Sequence, residues 1–398
     1  QPRSRGLGDV YKRQQMEYNA LGRDTCRFRS QMNLPRLFLL NIGGEAALSH
    51  REKNYTPPQL VRQMRRDLAP LAAWLSDEPE RDAVWVAEGV PLPSSMDSIP
   101  LPRLVTAREL AEASFPQPFR LELWGPEPSL VQTLRRKYPS LAMEKVVFPD
   151  ETVLPDHLFD RSAPCLFLKD WDFAAPQWVH SAEELRAYAA LVPHRQLVLK
   201  RPFSSSGRGI RLFRTGETDE TRLPFPLVVE PFYEKVSDWA AEYTIDADGE
   251  VRFDALSHFV VHGFRYGGNW LYPQEVMREK LLGAVGREAW ERAQEAHKRF
   301  LSSEVAPYYK GPVGIDMMVV REGSCLRLHP FVEMNVRHTM GSLAHRIQRR
   351  GGKAFENGLL CIEAVRAGEP LSAEKRYPLT ARDEQTRFVA AIRSAASE

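Results

Sequence analysis

The sequence predicts an α/β protein in two styles, a parallel wound unit first and antiparallel hairpins after it. Three observations carry this. Short apolar runs at Leu34–Leu40, Val84–Val86 and Phe119–Trp124 alternate with helix-like stretches, which implies parallel strands joined by crossover helices over roughly 32–150. Later apolar runs are joined by tight turns instead, at Asp248-Gly249 and Glu322-Gly323, and these read as antiparallel hairpins. The length of 398 residues suits two or three packed units rather than one.

Composition narrows the functional classes. A hydrophobic fraction of 43% and a charged fraction of 27% are those of an ordinary globular protein. The net charge of +2 is unevenly spread: residues 1–31 hold seven Lys/Arg against three Asp/Glu, leaving the remainder close to neutral. That balance speaks against a nucleic-acid surface, whose affinity needs clustered cations. Cys26, Cys165, Cys325 and Cys361 are far apart and form no CxxC pair, so neither a disulfide framework nor a zinc ribbon is expected. No uncharged run reaches the ~18 residues of a membrane span. The basic N-terminus is followed by no apolar core, so it does not read as a secretory signal. A cytoplasmic protein with reduced thiols, no nucleic acid and no membrane partner is expected.

In chain order, 1–31 lack periodicity and read as a disordered or non-native leader, with Met32 a natural start. The first strand, Leu34–Leu40, runs into Asn41-Ile42-Gly43-Gly44-Glu45. The GxGxxG spacing is absent, so this is read as a tight turn lining a substrate cleft rather than a dinucleotide fingerprint. A helix follows near Thr56-Pro57, with Thr56 as cap and Leu60, Met64, Leu68 and Leu71 at helical spacing. Prolines 149, 155, 164 and 176 mark a crossing between units. Ser181 caps a helix to about Leu191. Leu227–Glu230 is a strand, and Glu242–Asp246 pairs with Val251–Ala255. Residues 276–305 are helical, Val313–Val320 pairs with Leu326–Val336, a last helix spans Lys353–Arg366, and the C-terminal tail is polar.

Two stretches carry chemistry. In LVLKRPFSSSGRGIRLF, Leu197–Phe213, an apolar strand delivers Lys200 to a loop of serines and glycines. Glycine lets backbone N–H groups approach an anion, serine adds hydroxyl donors, and lysine adds a point charge, so a nucleotide phosphate is the expected ligand. In Phe331–Arg337 the period of two puts Glu333, Asn335 and Arg337 on one face and Val332, Met334 and Val336 on the other. A carboxylate, an amide oxygen and a guanidinium on one face suit Mg²⁺ and a transferring phosphoryl group. Asp316 sits between Ile315 and Met317 on the preceding strand, and hairpin pairing brings it roughly opposite Glu333.

In order and spacing these residues resemble the ATP-grasp superfamily over roughly 150–350, and by element order over 32–370. The resemblance implies a Rossmann-like pre-ATP-grasp domain at 32–150. It implies an ATP-grasp lid subdomain at 151–228, a C-terminal metal-binding subdomain at 229–370 with antiparallel sheets, and a tail at 371–398. It implies that Lys200 touches the α- and β-phosphates and that Ser204, Ser205, Ser206, Gly207, Arg208 and Gly209 fold over the β- and γ-phosphates. Glu230 would begin the hinge that holds the adenine edge, and Glu242 would lie near the ribose. Asp316, Glu333 and Asn335 would hold Mg²⁺, with Mn²⁺ a substitute, and Arg337 would stabilise the γ-phosphoryl group. A second basic residue some forty positions before the lysine is implied too. Arg161 stands 39 before it, and Lys169 is the weaker candidate.

The activity so implied is an ATP-dependent ligase that activates a small-molecule carboxylate as an acyl phosphate for attack by an amine or other nucleophile. A kinase on the same fold and a non-catalytic ATP-binding module stay open, as does a homodimer. On the substrate side, Arg265 in a glycine-flanked loop could hold a carboxylate or acyl phosphate, and His338 and Arg346 could face the pocket. The i, i+4 pair His258 and His262 lies in an apolar strand pattern, which argues against zinc. Arg349-Arg350 reads as a basic helix C-terminus.

Overall fold

The computed structural model describes residues 33–50, 55–91, 99–149, 154–192, 196–203, 209–214, 220–366 and 376–394. The leader 1–31 and Ser204, Ser205, Ser206, Gly207 and Arg208 of the loop therefore lie outside the described residues.

The first unit is the expected wound one. Strands β1 (Arg36–Leu39), β2 (Ala83–Trp85), β3 (Arg103–Val105), β4 (Phe119–Leu123) and β5 (Val146–Val147) form a parallel sheet in the order β3-β2-β1-β4-β5. Helices α1 (Glu45–His50), α2 (Gln59–Asp67), α3 (Ala107–Glu112), α4 (Pro128–Lys137) and α5 (Pro139–Glu144) connect them. The helix expected at Thr56-Pro57 starts later, at Gln59, with Pro58 in the cap position. A proline disfavours helical backbone in the residue before it, so two in succession delay the start.

The second sheet is antiparallel. Helix α6 (Ser162–Phe167) leads to β6 (Gln177–Val179), and α7 (Ala182–Leu191) is capped by Ser181, whose hydroxyl accepts from the Glu184 N–H at 3.3 Å. β7 (Leu197–Lys200), β8 (Ile210–Phe213) and β9 (Leu227–Pro231) complete the order β6-β9-β7-β8. Its core (Val179, Leu185, Leu197, Leu199, Phe213 and Val229 among others) comes from this segment alone.

The third sheet is the largest: β10 (Glu234–Ile245), β11 (Val251–His262), β12 (Arg265–Trp270), β13 (Gly311–Glu322), β14 (Cys325–Asn335), β15 (Gly358–Ala364), β16 (Arg376–Pro378) and β17 (Phe388–Ser394). Their order is β14-β13-β10-β11-β12-β15-β17-β16, every pair antiparallel. Helices α8 (Gln274–Val285) and α9 (Arg287–Phe300) bury one face, with Trp239, Tyr243, Ile315, Met317 and Phe331 in that core. Helix α10 (Met340–Gly351) lies against β11 and β12 on the other face.

Two expectations at the C-terminal end are overturned. The helix read at Lys353–Arg366 is instead strand β15, since α10 has already ended at Gly351. The segment read as a polar tail contributes β16 and β17. These strands bury Val389, Ala390, Ala391 and Ile392, small and branched residues too few to set up a pattern by themselves.

Candidate functional site

The site grows from the β13–β14 hairpin. The register pairs Asp316 with Glu333 and Gly314 with Asn335, so two carboxylates and an amide stand on one face, as the period of two requires. Asn335 Nδ2 donates to Asp316 Oδ2 at 3.3 Å. Burial, and then the facing Glu333 carboxylate, push Asp316 up to about 7. Two acids set opposite each other and partly removed from water are a cost to the fold, and a divalent cation would relieve it. No group of three or more His, Cys, Asp or Glu side chains converges among the described residues. The oxygen set is two carboxylates and an amide.

Arg161 ties this hairpin to the lysine strand. It is 7% exposed and non-helical, at φ 67°, in the left-handed region that a large side chain rarely occupies. From there its Nη1 donates to Glu333 Oε2 at 3.1 Å and its Nε to the Arg201 carbonyl at 3.2 Å. Lys169, the weaker candidate, is exposed on the turn that follows α6. Lys200 itself is 4% exposed, and its Nζ lies 2.5 Å from Glu230 Oε1 on the neighbouring strand β9. The turn beyond it closes through the Arg201 N–H, which donates to the Gly209 carbonyl at 3.0 Å. Gly209 has φ +75°, and a Cβ there would meet the Arg201 side chain at 3.1 Å, so glycine is required at the base of the loop.

Arg337 faces the first unit. Each of its three nitrogens donates to a protein group: Nε to Glu45 Oε1, Nη1 to the His338 carbonyl at 3.1 Å, and Nη2 to Asn335 Oδ1 at 2.8 Å. Burial works against the charge of Glu45, yet Arg337 holds its carboxyl below the usual range. Gly125 passes so close that a Cβ there would meet Arg337 Cβ at 2.9 Å. The turn at 41–45 is pinned by Asn41, whose amide donates to the Gly125 carbonyl at 2.9 Å and to Glu127 Oε2 at 2.8 Å, while Arg65 donates to both Glu127 oxygens. Between this turn and β14 lies a cleft of about 510 Å³, its open mouth included. Its lining includes Glu45, Glu333, Asn335 and Arg337 together with Leu48, Trp124, Phe159 and Phe203.

Other expected residues are not brought to the cleft. Glu242 pairs with Gly314, one step from Asp316, but is 3% exposed and sealed beneath the first turn of α10. Thr339 donates to its Oε2 at 2.8 Å, and a Cβ on Gly341 would overlap its Oε1. Burial first, then Asp316, raise Glu242 to about 8 against the Thr339 bond. Covered by α10, this carboxyl does not reach the cleft, and the expectation that it lies near the ribose is corrected on that ground. Arg265 is also corrected: it opens β12 opposite His262, exposed at a hairpin tip, whereas Asp316 lies level with Ala240 and Ser257. His338 Nε2 contacts Glu122 Oε1 of β4 at 3.2 Å, and Arg346 donates to the Leu75 carbonyl and to Asp77. Arg349 and Arg350 likewise hold Asp77 and the Ser76 carbonyl. His258 stacks on Trp239, ring centroids 4.4 Å apart, and burial followed by Lys280 lowers it to about 4.

Trp124 and Gly125 had no site role in the sequence reading, and Glu45 only that of ending the turn at 41–45. The available signal was the glycine that directly follows an apolar strand at Trp124-Gly125-Pro126, the same strand-then-glycine pattern as at Gly43-Gly44.

The sequence matches no protein-family model, and no curated relative matches it. Solved structures do. A biotin carboxylase–β,γ-ATP complex from Campylobacter jejuni aligns at TM-score 0.50 and 12% identity over 90% of this chain and 86% of that one. N5-carboxyaminoimidazole synthetase from Staphylococcus aureus complexed with ADP aligns at 0.48 and 10% identity, covering 84% and 92%. An ATP-grasp superfamily protein from Archaeoglobus fulgidus aligns at 0.43 and 13% identity, covering 91% and 100%. Among the described residues no helix is long and apolar enough to cross a membrane. A parallel sheet followed by two antiparallel sheets, together with the likeness to the biotin carboxylase complex, gives the chain the ATP-grasp fold.

Proposed function

We propose that the chain is an ATP- and Mg²⁺-dependent ligase that converts a small-molecule carboxylate to an acyl phosphate, which an amine or other nucleophile then attacks. The observation that carries this reading is the register of β13 and β14, which faces Asp316 with Glu333 beside Asn335, joined through Arg161 to the end of the Lys200 strand. Mg²⁺ takes few protein oxygens and completes its shell with phosphates and water, so two carboxylates and one amide suit it. When bound, the ion would neutralise phosphate charge in transfer.

The chain's own groups supply the rest. Lys200 would leave Glu230 for the α- and β-phosphates, a short move because both lie on neighbouring strands. Arg161 adds a second cation, already held by a carbonyl and so aimed without further ordering. Gly209 ends the loop whose backbone would cover the β- and γ-phosphates. The backbone from Glu230 to Tyr233 is the hinge against which the base edge would lie. Arg337 would stabilise the γ-phosphoryl group from the cleft side. Phosphoryl transfer asks a protein mainly for positioning and charge, and these groups offer both.

ADP release driven by a panel of amino acids and small carboxylates, with and without hydroxylamine, tests the reading. Hydroxamate formation supports the acyl phosphate; ADP without hydroxamate makes the chain a kinase; no ADP with any member leaves a binding module. Lys200→Ala and Glu333→Ala should each abolish ADP formation in a folded protein, and undiminished turnover in either sinks the site.

A further inference from the structure

Arg161 is built into the fold with unusual care. Leu158 and Ala163, on either side of it, are buried in the core of the large sheet, so the backbone here is fixed to the β14 side of the molecule. At the N-cap of α6 it takes φ 67°, a left-handed conformation that asparagine or glycine adopts with less strain. The side chain plays no part in capping the helix. Instead the guanidinium, 4% exposed, reaches two distant groups: Glu333 Oε2 through Nη1 at 3.1 Å, and the Arg201 carbonyl through Nε at 3.2 Å. The first lies on the metal hairpin, the second on the residue that follows Lys200. Arg161 and Glu333 also line a pocket of about 250 Å³, its open mouth included, and the Glu333 side chain is 29% exposed. An ion from solvent can reach that carboxylate.

The pairing sets two cations against each other. Glu333 faces Asp316 across the hairpin, and these are the acids that would hold a divalent ion. An ion and a guanidinium on one carboxylate are like charges at contact distance. Pushing the guanidinium away breaks a largely buried ion pair, which is costly unless another anion takes the arginine. Resting on the Mg²⁺–ATP reading above, we propose that Arg161 competes with the divalent ion for Glu333 and so makes metal binding wait for the nucleotide. Arg161 keeps Glu333 until phosphate oxygens arrive beside Lys200. The guanidinium then turns to the phosphates about its Nε, which stays on the Arg201 carbonyl, and Glu333 is released to the ion. Charge balances throughout: the carboxylate exchanges one cation for another, and the arginine exchanges one anion for another. Arg161 is thus a positioning residue for the metal, acting through Glu333.

The test is titration of the full chain with Mn²⁺, the free ion being counted by electron paramagnetic resonance. Wild type, Arg161→Asn, Arg161→Met and Arg161→Lys are compared with and without a non-hydrolysable ATP analogue, after subtraction of the ion that the analogue takes up in solution. Asparagine suits the left-handed backbone and methionine keeps the length, so either serves should the other fail to fold. Without nucleotide, both uncharged variants should bind Mn²⁺ at least about fivefold more tightly than the wild type, the lower end of ordinary coupling between sites. Arg161→Lys keeps the charge and should stay near the wild type. Adding Glu333→Gln to Arg161→Asn should remove the gain, and the analogue should let the wild type close most of the gap. Unchanged or weaker Mn²⁺ binding in both uncharged variants overturns the proposal. So does an equal gain in Arg161→Lys, a gain that survives Glu333→Gln, or an analogue that binds without closing the gap. An analogue that fails to bind, with the gains in metal affinity intact, strikes the ATP reading and leaves the competition at Glu333 standing.

Discussion

Asp316→Asn should stabilise the metal-free protein at pH 8. In the fold, burial and then Glu333 raise the Asp316 carboxyl to about 7 from an ordinary 3.8. A raised acid is stabilising below its unfolded value, where it is neutral in both states. That advantage is lost as pH rises through the folded value. From pH 4 to 8 the linkage amounts to at most about 4 kcal/mol, and sharing of the proton with Glu333 brings the expected gain to about 1–3 kcal/mol. Asparagine keeps the shape and the contact with Asn335 but removes the charge. Urea unfolding in EDTA at pH 5 and pH 8 reads the effect: the variant should exceed the wild type at pH 8 by more than it does at pH 5, where only part of the cost has accrued. Adding Mg²⁺ with a nucleotide analogue should stabilise the wild type and leave the variant unmoved, since the binding energy adds only to a fold that holds the ion. A variant less stable than wild type at pH 8 would refute the reasoning, because Asp316 would then be supporting the fold rather than straining it.

Two further outcomes concern groups that support the site from behind. His297, fully buried under the large sheet, donates from Nε2 to the Pro330 carbonyl at 2.8 Å and accepts from the Tyr243 hydroxyl at Nδ1 at 3.0 Å. This neutral form is favoured because burial lowers its pKa to about 4. The unfolded chain therefore binds more protons between pH 6.5 and 4, and stability should fall across that window by at most about 3 kcal/mol. Tyr243→Phe should cost about 1–3 kcal/mol by leaving Nδ1 buried without its donor, and urea midpoints check both. Gly341→Ala adds a methyl against Glu242 and, at 2.7 Å, against Ser257 Oγ, so a loss of about 1–3 kcal/mol is expected by thermal unfolding.

What could be read in the sequence was what local periodicity controls. The alternation in Phe331–Arg337 fixed the face of Glu333, Asn335 and Arg337, and the Glu322-Gly323 turn fixed the length of the hairpin, so Asp316 fell opposite Glu333 as expected. Glu242 shows the limit. Its face was correctly read, since it pairs with Gly314 on the strand of Asp316, but nothing local says that α10 will close over it. Arg265 failed for a related reason: two glycines suggested a loop, whereas Gly267 and Gly268 are strand residues, Gly268 packed tightly against the Leu360 carbonyl. The partners of Arg337 and His338 come from α1 and β4, more than two hundred positions away, and no periodicity reaches that far.

Those long-range partners decide which parts of the molecule can move. One apolar cluster joins Phe38, Trp74 and Val84 of the first unit to Leu343 and Ile347 of α10 and to Leu360, Ala390 and Ile392 of the large sheet. Arg346, Arg349 and Arg36 all meet on Asp77 across the same seam. The first unit and the large antiparallel sheet are therefore packed as one body, and the cleft between Glu45 and Arg337 cannot open by separating them without exposing that core. The lysine sheet is different. Its core is drawn from 179–229 alone, and Arg161, reaching from Glu333 to the Arg201 carbonyl, is one of its links to the metal strands. A sheet with its own core can swing on such links at little cost in buried area, which is what a lid over a nucleotide needs. In the proposed ligase the phosphate side would then change shape by moving this sheet as a unit.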